Sequence, residues 1–133
     1  MSRQTCDTPP EQLGSLLPLC PATPNCVSSL AQGRQYIRPF SIRGEAVASF
    51  AALYAVLSAR KDARIIAYED QVLQVEFRTR LGFVDDALFV LDPEQKIIQV
   101  RSAARLGYWD LGKNRRRIEQ IRQRYDKAVA AAC

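Results

Sequence analysis

Apolar and polar residues change rhythm several times along this chain, and each rhythm predicts an element. Over residues 44–60 (GEAVASFAALYAVLSAR), Val47, Phe50, Tyr54 and Leu57 recur at i, i+3, i+7 and i+10, the spacing of one helix face. Alanines fill the other faces, which favours helix and close packing. The period then drops to two. Residues 64–69 read as a strand ending in a polar turn at Asp70. Over residues 72–79, Leu73, Val75 and Phe77 face one side while Gln74, Glu76 and Arg78 face the other, a half-buried antiparallel strand with a polar open face. Residues 86–91 are apolar on both faces and predict a central strand. A turn at 92–95 follows, with Pro93 presetting φ. Residues 97–102 form the next strand, Ile98 and Val100 inward, Gln99 and Arg101 outward. Two shorter strands are expected at 26–29 and 36–40. The last element is a helix over 114–131, where Ile118, Ile121, Tyr125 and Val129 make one stripe and Asn114 is a favourable N-cap. The predicted fold class is α+β: an antiparallel sheet of four to six strands with two helices packed on one face. The other face would carry Glu76, Arg78 and Arg101.

Length and composition narrow this picture. The chain has 133 residues, 47% hydrophobic and 25% charged, which fits one ordinary globular domain and excludes a wholly disordered, collagen-like or coiled-coil chain. Five of the seven prolines (Pro9, Pro10, Pro18, Pro21 and Pro24) precede residue 25. They predict an extended lead-in over 1–25, followed by a single α+β domain over 26–133. No apolar run reaches the ~18 residues of a membrane-spanning helix. The opening residues MSRQTC hold no apolar core of a signal peptide. The chain therefore reads as cytoplasmic if Met1 is the true start, and as periplasmic or membrane-anchored if a leader has been removed.

Four cysteines occur, Cys6, Cys20, Cys26 and Cys133. Cys20 and Cys26 flank a proline-stiffened loop (CPATPNC), a spacing that suits neither a redox CxxC nor a zinc site. They are a disulfide candidate, suited to an oxidising compartment. The competing reading is two small apolar residues at a strand entrance. Cys133 reads as a frayed terminal thiol. Histidine is absent, which removes the usual general base at neutral pH, the commonest metal ligand and every Ser-His or Cys-His pair. An enzyme is therefore the weaker expectation, and no metal and no cofactor are expected.

Charge adds a direction. The chain carries +5 overall, yet residues 100–133 hold nine basic and three acidic side chains, so all the basicity sits in the last quarter. Such asymmetry suits an anionic partner, and equally a solvated helix face. Arg115, Arg116 and Arg117 occupy the predicted first turn of the last helix, where the helix dipole disfavours cations by up to ~1 kcal/mol each. Local conflicts of this kind mark functional or compensated positions. The preceding segment, RSAARLGYWDLGKN, gathers Arg101, Arg105, Tyr108, Trp109, Asp110 and Asn114 around Gly107 and Gly112, without a phosphate-binding or dinucleotide glycine motif. Asp85 and Asp86 are adjacent on a predicted strand, so they point to opposite faces and make a poor catalytic dyad. One of them is expected to pair with Arg78 or Arg101.

Three motifs then stand together: PNCVSS (residues 24–29), FRTRLGFVDDALF (77–89) and VRSAARLGYWDLGKNRRRIEQIR (100–122), with a TPPEQLG lead at 8–14. They resemble the domain-of-unknown-function family DUF1499, over nearly the whole chain. The resemblance implies that Asp85, Asp86, Arg101, Ser102, Arg105, Gly107, Tyr108, Asp110, Gly112, Asn114, Arg115 and Arg117 occupy motif positions, and it assigns no reaction. It also implies that many members are similar to bacterial lipoproteins or membrane-anchored proteins, with a cysteine where Cys6 stands.

The resulting expectation is a small non-enzymatic binding module for an anionic small molecule or an acidic protein. Its candidate ligand-binding residues are Arg78, Asp86, Arg101, Arg105, Tyr108, Asp110, Asn114 and Arg115. Asp110 and Asn114 would orient the arginines or cap the helix. The alternatives are a carboxylate-based enzyme, with Asp86 or Asp110 as base, and nucleic-acid binding through the basic helix. The last is disfavoured because few aromatics accompany the arginines.

Overall fold

The computed structural model describes residues 17–132. The cysteine at position 6, the motif at 8–14 and Cys133 lie outside the described residues. Six strands, β1 (Cys26–Ser28), β2 (Phe40–Ser41), β3 (Ala63–Glu69), β4 (Val72–Arg78), β5 (Val84–Asp92) and β6 (Ile97–Ala104), accompany two helices, α1 (Ala46–Ser58) and α2 (Lys113–Ala132). All strand pairs are antiparallel, in the order β1-β6-β5-β4-β3. Strand β2 also pairs with β6, so the two shortest strands share one edge: Ser28 opposes Arg101 and Phe40 opposes Ile98.

Tight turns connect the meander. Asp70 lies at φ 45° between β3 and β4. Between β5 and β6 the Asp92 carboxylate accepts the Gln95 N–H (3.3 Å), and Pro93 supplies the preset φ. The strand alternation predicted for Leu73, Val75 and Phe77 puts all three in the core, beside Ala87, Phe89 and Leu91 of β5 and Ile98 and Val100 of β6. Helix α2 covers this face with Ile118, Ile121, Tyr125 and Val129, all buried. Helix α1 adds Phe50, Leu53 and Leu57. The expected α1 stripe needs a correction: Val47 is 74% exposed, and Leu53 takes its place. Spacings of three and four put Phe50, Leu53 and Leu57 on one line. Tyr54 lies at the margin of that line and stacks on Tyr68 (4.3 Å).

The second sheet face is only partly open. Leu17 is buried there against Val90 and Leu88. The segment that follows is fastened to the domain. Cys20 and Cys26 form a disulfide, and Gln35 donates to the Pro21 and Thr23 carbonyls (2.6 and 2.9 Å).

Candidate functional site

The candidate residues fall into two groups. On the open face, the alternation of β4, β5 and β6 aligns Glu76, Asp86 and Arg101. Arg105 follows just beyond β6. The Arg105 guanidinium grips the Asp86 carboxylate through Nε (3.0 Å) and Nη2 (2.6 Å), and donates to Glu76 (2.9 Å). Hydrogen bonds to Asp86, and then to Glu76, hold Arg105 above the ordinary arginine range. Arg101 is half-buried beside a depression of about 240 Å³ lined by Pro18, Gln74, Asp86 and Leu88. Its Nη2 makes one long bond, to the Leu19 carbonyl (3.4 Å), and its Nε is buried without an acceptor among the described residues. Burial pulls Arg101 below the ordinary arginine value, against the raising effect of Asp86. Asp86 thus pairs with Arg105 and not, as expected, with Arg78 or Arg101, because Arg105 presents one donor to each carboxylate oxygen. Arg78 lies two residues beyond Glu76 along β4, opposite Val84, and is exposed.

The second group sits at the entrance to α2. Asp110 accepts the backbone N–H of Gly112 (2.8 Å) and of Asn114 (3.1 Å) and the Asn114 side-chain amide (2.8 Å). The helix begins at Lys113, so Asn114 is not its N-cap. Asn114 lies within the first turn, fully buried, and accepts the Ser102 hydroxyl (2.6 Å). A carboxylate at this end complements both the unpaired N–H groups and the helix dipole. Leu111 (φ 54°) and Gly112 (φ 77°) are consecutive left-handed residues that bend the chain into the helix, which explains the glycine. Among the described residues, neither Asp110 nor Asn114 hydrogen-bonds an arginine side chain.

Burial raises the Asp110 carboxyl, but its bonds from Asn114 and Gly112 and the charge of Lys113 outweigh this and hold it below the usual carboxylate range. Its contribution to stability is therefore full above the ordinary value of 3.8 and is lost as pH falls through the lower folded-state value. Asp110→Ala is expected to cost about 1 kcal/mol in urea unfolding at neutral pH. The deficit should shrink on acidification below the ordinary carboxylate range. A deficit that stays constant down to full protonation would show that the carboxylate's charge plays no part.

Arg115, Arg116 and Arg117 each find an acceptor within the chain, which offsets the conflict of cations near the helix start with its dipole. Arg115 donates to the Arg34 and Tyr36 carbonyls (2.7 and 2.8 Å), and Arg116 to the Leu111 carbonyl (2.6 Å). Arg117 is buried, bound to Asp85 (2.8 Å), and lies over the Phe77 ring (4.6 Å). Further along, Arg122 is also buried, donating to the Pro39 carbonyl (2.8 Å) and the Arg38 carbonyl.

Sequence reasoning missed the roles of Arg117, Arg122 and Asn25. Asn25 is buried, donates to the Gly107 carbonyl (2.6 Å) and offers its own carbonyl to the Ala104 N–H (3.0 Å). Together with Asn114 and Ser102 it joins the disulfide loop to the 105–112 loop. The available signal was that Asn25, Ser102, Asn114 and Arg117 all fall within the motifs at 24–29 and 100–122. Tyr108 (53% exposed) and Trp109 (70%) project from that loop, in edge-to-face contact at 5.0 Å.

Among the described residues, no group of three His, Cys, Asp or Glu side chains converges to hold a metal ion, and no helix is long and apolar enough to cross a membrane. No curated protein and no solved structure matches the chain. The model of a family described as "Protein of unknown function (DUF1499)" matches residues 16–125, most of the chain. The three motifs, the antiparallel sheet and its helix-covered face thus have their place: the chain belongs to the DUF1499 family.

Proposed function

We propose that this domain is a non-catalytic binding module whose ligand or partner presents an anionic group to Arg101 on the open sheet face. The observation that carries this reading is a half-buried guanidinium with a buried Nε that lacks an acceptor among the described residues. Buried donors are nearly always paired, and an anion entering the adjoining depression would pair this one. Arg105 neutralises Asp86 beside it and so reduces the repulsion an anion would meet. The other readings gain less. Asp110 accepts three hydrogen bonds at the helix start, which leaves it poorly placed as a base. Helix α2 turns Arg115, Arg117 and Arg122 onto internal acceptors, which depletes the basic face that nucleic acid would need. The Cys20–Cys26 bond favours an oxidising compartment.

The test follows the Arg101 Nε–H signal by NMR while inorganic phosphate, and separately acetate, is added. A saturable shift is expected at Arg101 Nε–H and at the backbone amides of Gln74 and Leu88, which line the depression. Read from those amides, the affinity should weaken at least about tenfold in Arg101→Gln, because a charge-assisted hydrogen bond contributes ~1.5–3 kcal/mol. Perturbation of Arg116 and Arg124 alone, with Arg101 unmoved, would mean diffuse surface attraction and would overturn the reading.

A further inference from the structure

A second site lies at the end of the helix-covered face, between the β4–β5 turn and the loop leading to α2. A cavity of about 180 Å³ opens there, with Phe83, Leu106 and Trp109 as apolar walls and Asp85, Asp110 and Lys113 as polar ones. It is smaller than the ~300 Å³ at which pockets for drug-sized ligands begin, so it suits one small ring. Asp85 is 0% exposed. Its Oδ2 is held by Arg117 Nη1 (2.8 Å) and Lys113 Nζ (3.3 Å), while its Oδ1 is buried with no donor among the described residues. A buried acceptor left unpaired is costly, and a charged one more so. The orphan oxygen therefore marks a place for an incoming donor.

Charge decides what kind of donor. Asp85 and Asp110 balance Lys113 and Arg117, so the surroundings favour neither a cation nor an anion. A hydroxyl is neutral, donates to a carboxylate oxygen and accepts from an ammonium. The apolar component is Trp109, 70% exposed, a large flat face of the kind that marks an interaction surface. We propose that this cavity binds a neutral pyranose ring, stacked against Trp109, with one hydroxyl donating to Asp85 Oδ1 and the same or a neighbouring one accepting from the Lys113 ammonium. Trp109 also borders a second depression of about 220 Å³, beside Pro24, Arg34 and Gln35. The aromatic ridge thus separates two places along which a sugar chain could extend. The site is separate from the Arg101 depression, and the failure of either reading leaves the other standing.

Trp109 is the chain's single tryptophan, so its fluorescence reports on the two depressions it borders, and Lys113, which lines only the first, tells them apart. The full chain is titrated with the methyl glycosides of glucose, galactose and mannose, with methyl β-cellobioside, and with cyclohexanol as an apolar ring control. A saturable emission change is expected with at least one glycoside, weakened at least about tenfold in Lys113→Gln, with circular dichroism confirming that this variant folds. Tighter binding of the cellobioside would identify a glycan as the source of the ring, and equal binding a free monosaccharide. The proposal is overturned by no saturable change with any glycoside, by an equal response to cyclohexanol, or by a response that survives Lys113→Gln undiminished.

Discussion

Asp85→Ala is expected to destabilise the domain by about 3–5 kcal/mol, because it strands a cation in the interior. Arg117 is buried, and Asp85 provides its closest carboxylate (2.8 Å), with Asp62 further off at 3.6 Å. Without Asp85 the guanidinium keeps its cost of burial and loses most of the compensating attraction. In urea this should lower the midpoint by roughly 2 M, given slopes of ~1–3 kcal/mol/M for small proteins. Asp85→Leu combined with Arg117→Met should recover much of the loss, since an apolar pair of similar volume often replaces a buried ion pair at little cost. If Asp85→Ala moves the midpoint by less than about 0.5 M, the pair does not hold α2 to the sheet, and the burial of Arg117 needs another explanation.

Phe40→Ala should cost a similar amount, about 3–5 kcal/mol, although it alters a strand of only two residues. Phe40 is 0% exposed. Its ring meets Phe89 at 5.9 Å and Tyr125 at 5.3 Å, both edge-on, and Arg122 lies 4.6 Å above it. The substitution removes a large ring from the meeting point of β2, β5 and α2, and the rigid strands around the cavity cannot collapse fully into it. The thermal midpoint should fall by roughly 10–20 °C. Phe40→Leu keeps most of the volume and should lose well under half as much. Equal losses for the two variants would mean that edge-on ring geometry, and not filled volume, holds this corner.

Elements with a sustained period were legible in the sequence. The alternation of Leu73, Val75 and Phe77 against Gln74, Glu76 and Arg78, and the stripe from Ile118 to Val129, both describe surfaces that water sorts locally, one residue at a time. Helix α1 was legible as a helix but not in its facing. Its alanine-rich surface distinguishes one stripe from the next weakly, and so Val47 and Leu53 exchanged places. Strand β2 was blurred into 36–40, because two residues carry no period. They are a strand only because β6 has a free edge beside them.

The candidate site divides the same way. That Asp85 and Asp86 face opposite sides follows from the pleat alone. Which arginine meets which carboxylate does not, because an arginine side chain reaches several neighbours and the choice depends on strand register and on where α2 crosses the sheet. The sequence by itself determined an α+β domain, the content of its core stripes and a C-terminal excess of positive charge. Only the tertiary structure decided that Arg117 and Arg122 turn inward to Asp85 and to carbonyls, that Arg115 reaches the carbonyls of a surface loop, and that Arg101 keeps a nitrogen without an acceptor among the described residues. Local patterning records preference for water, a property of each residue, whereas pairing of charges depends on distances that exist only once distant segments have been packed together.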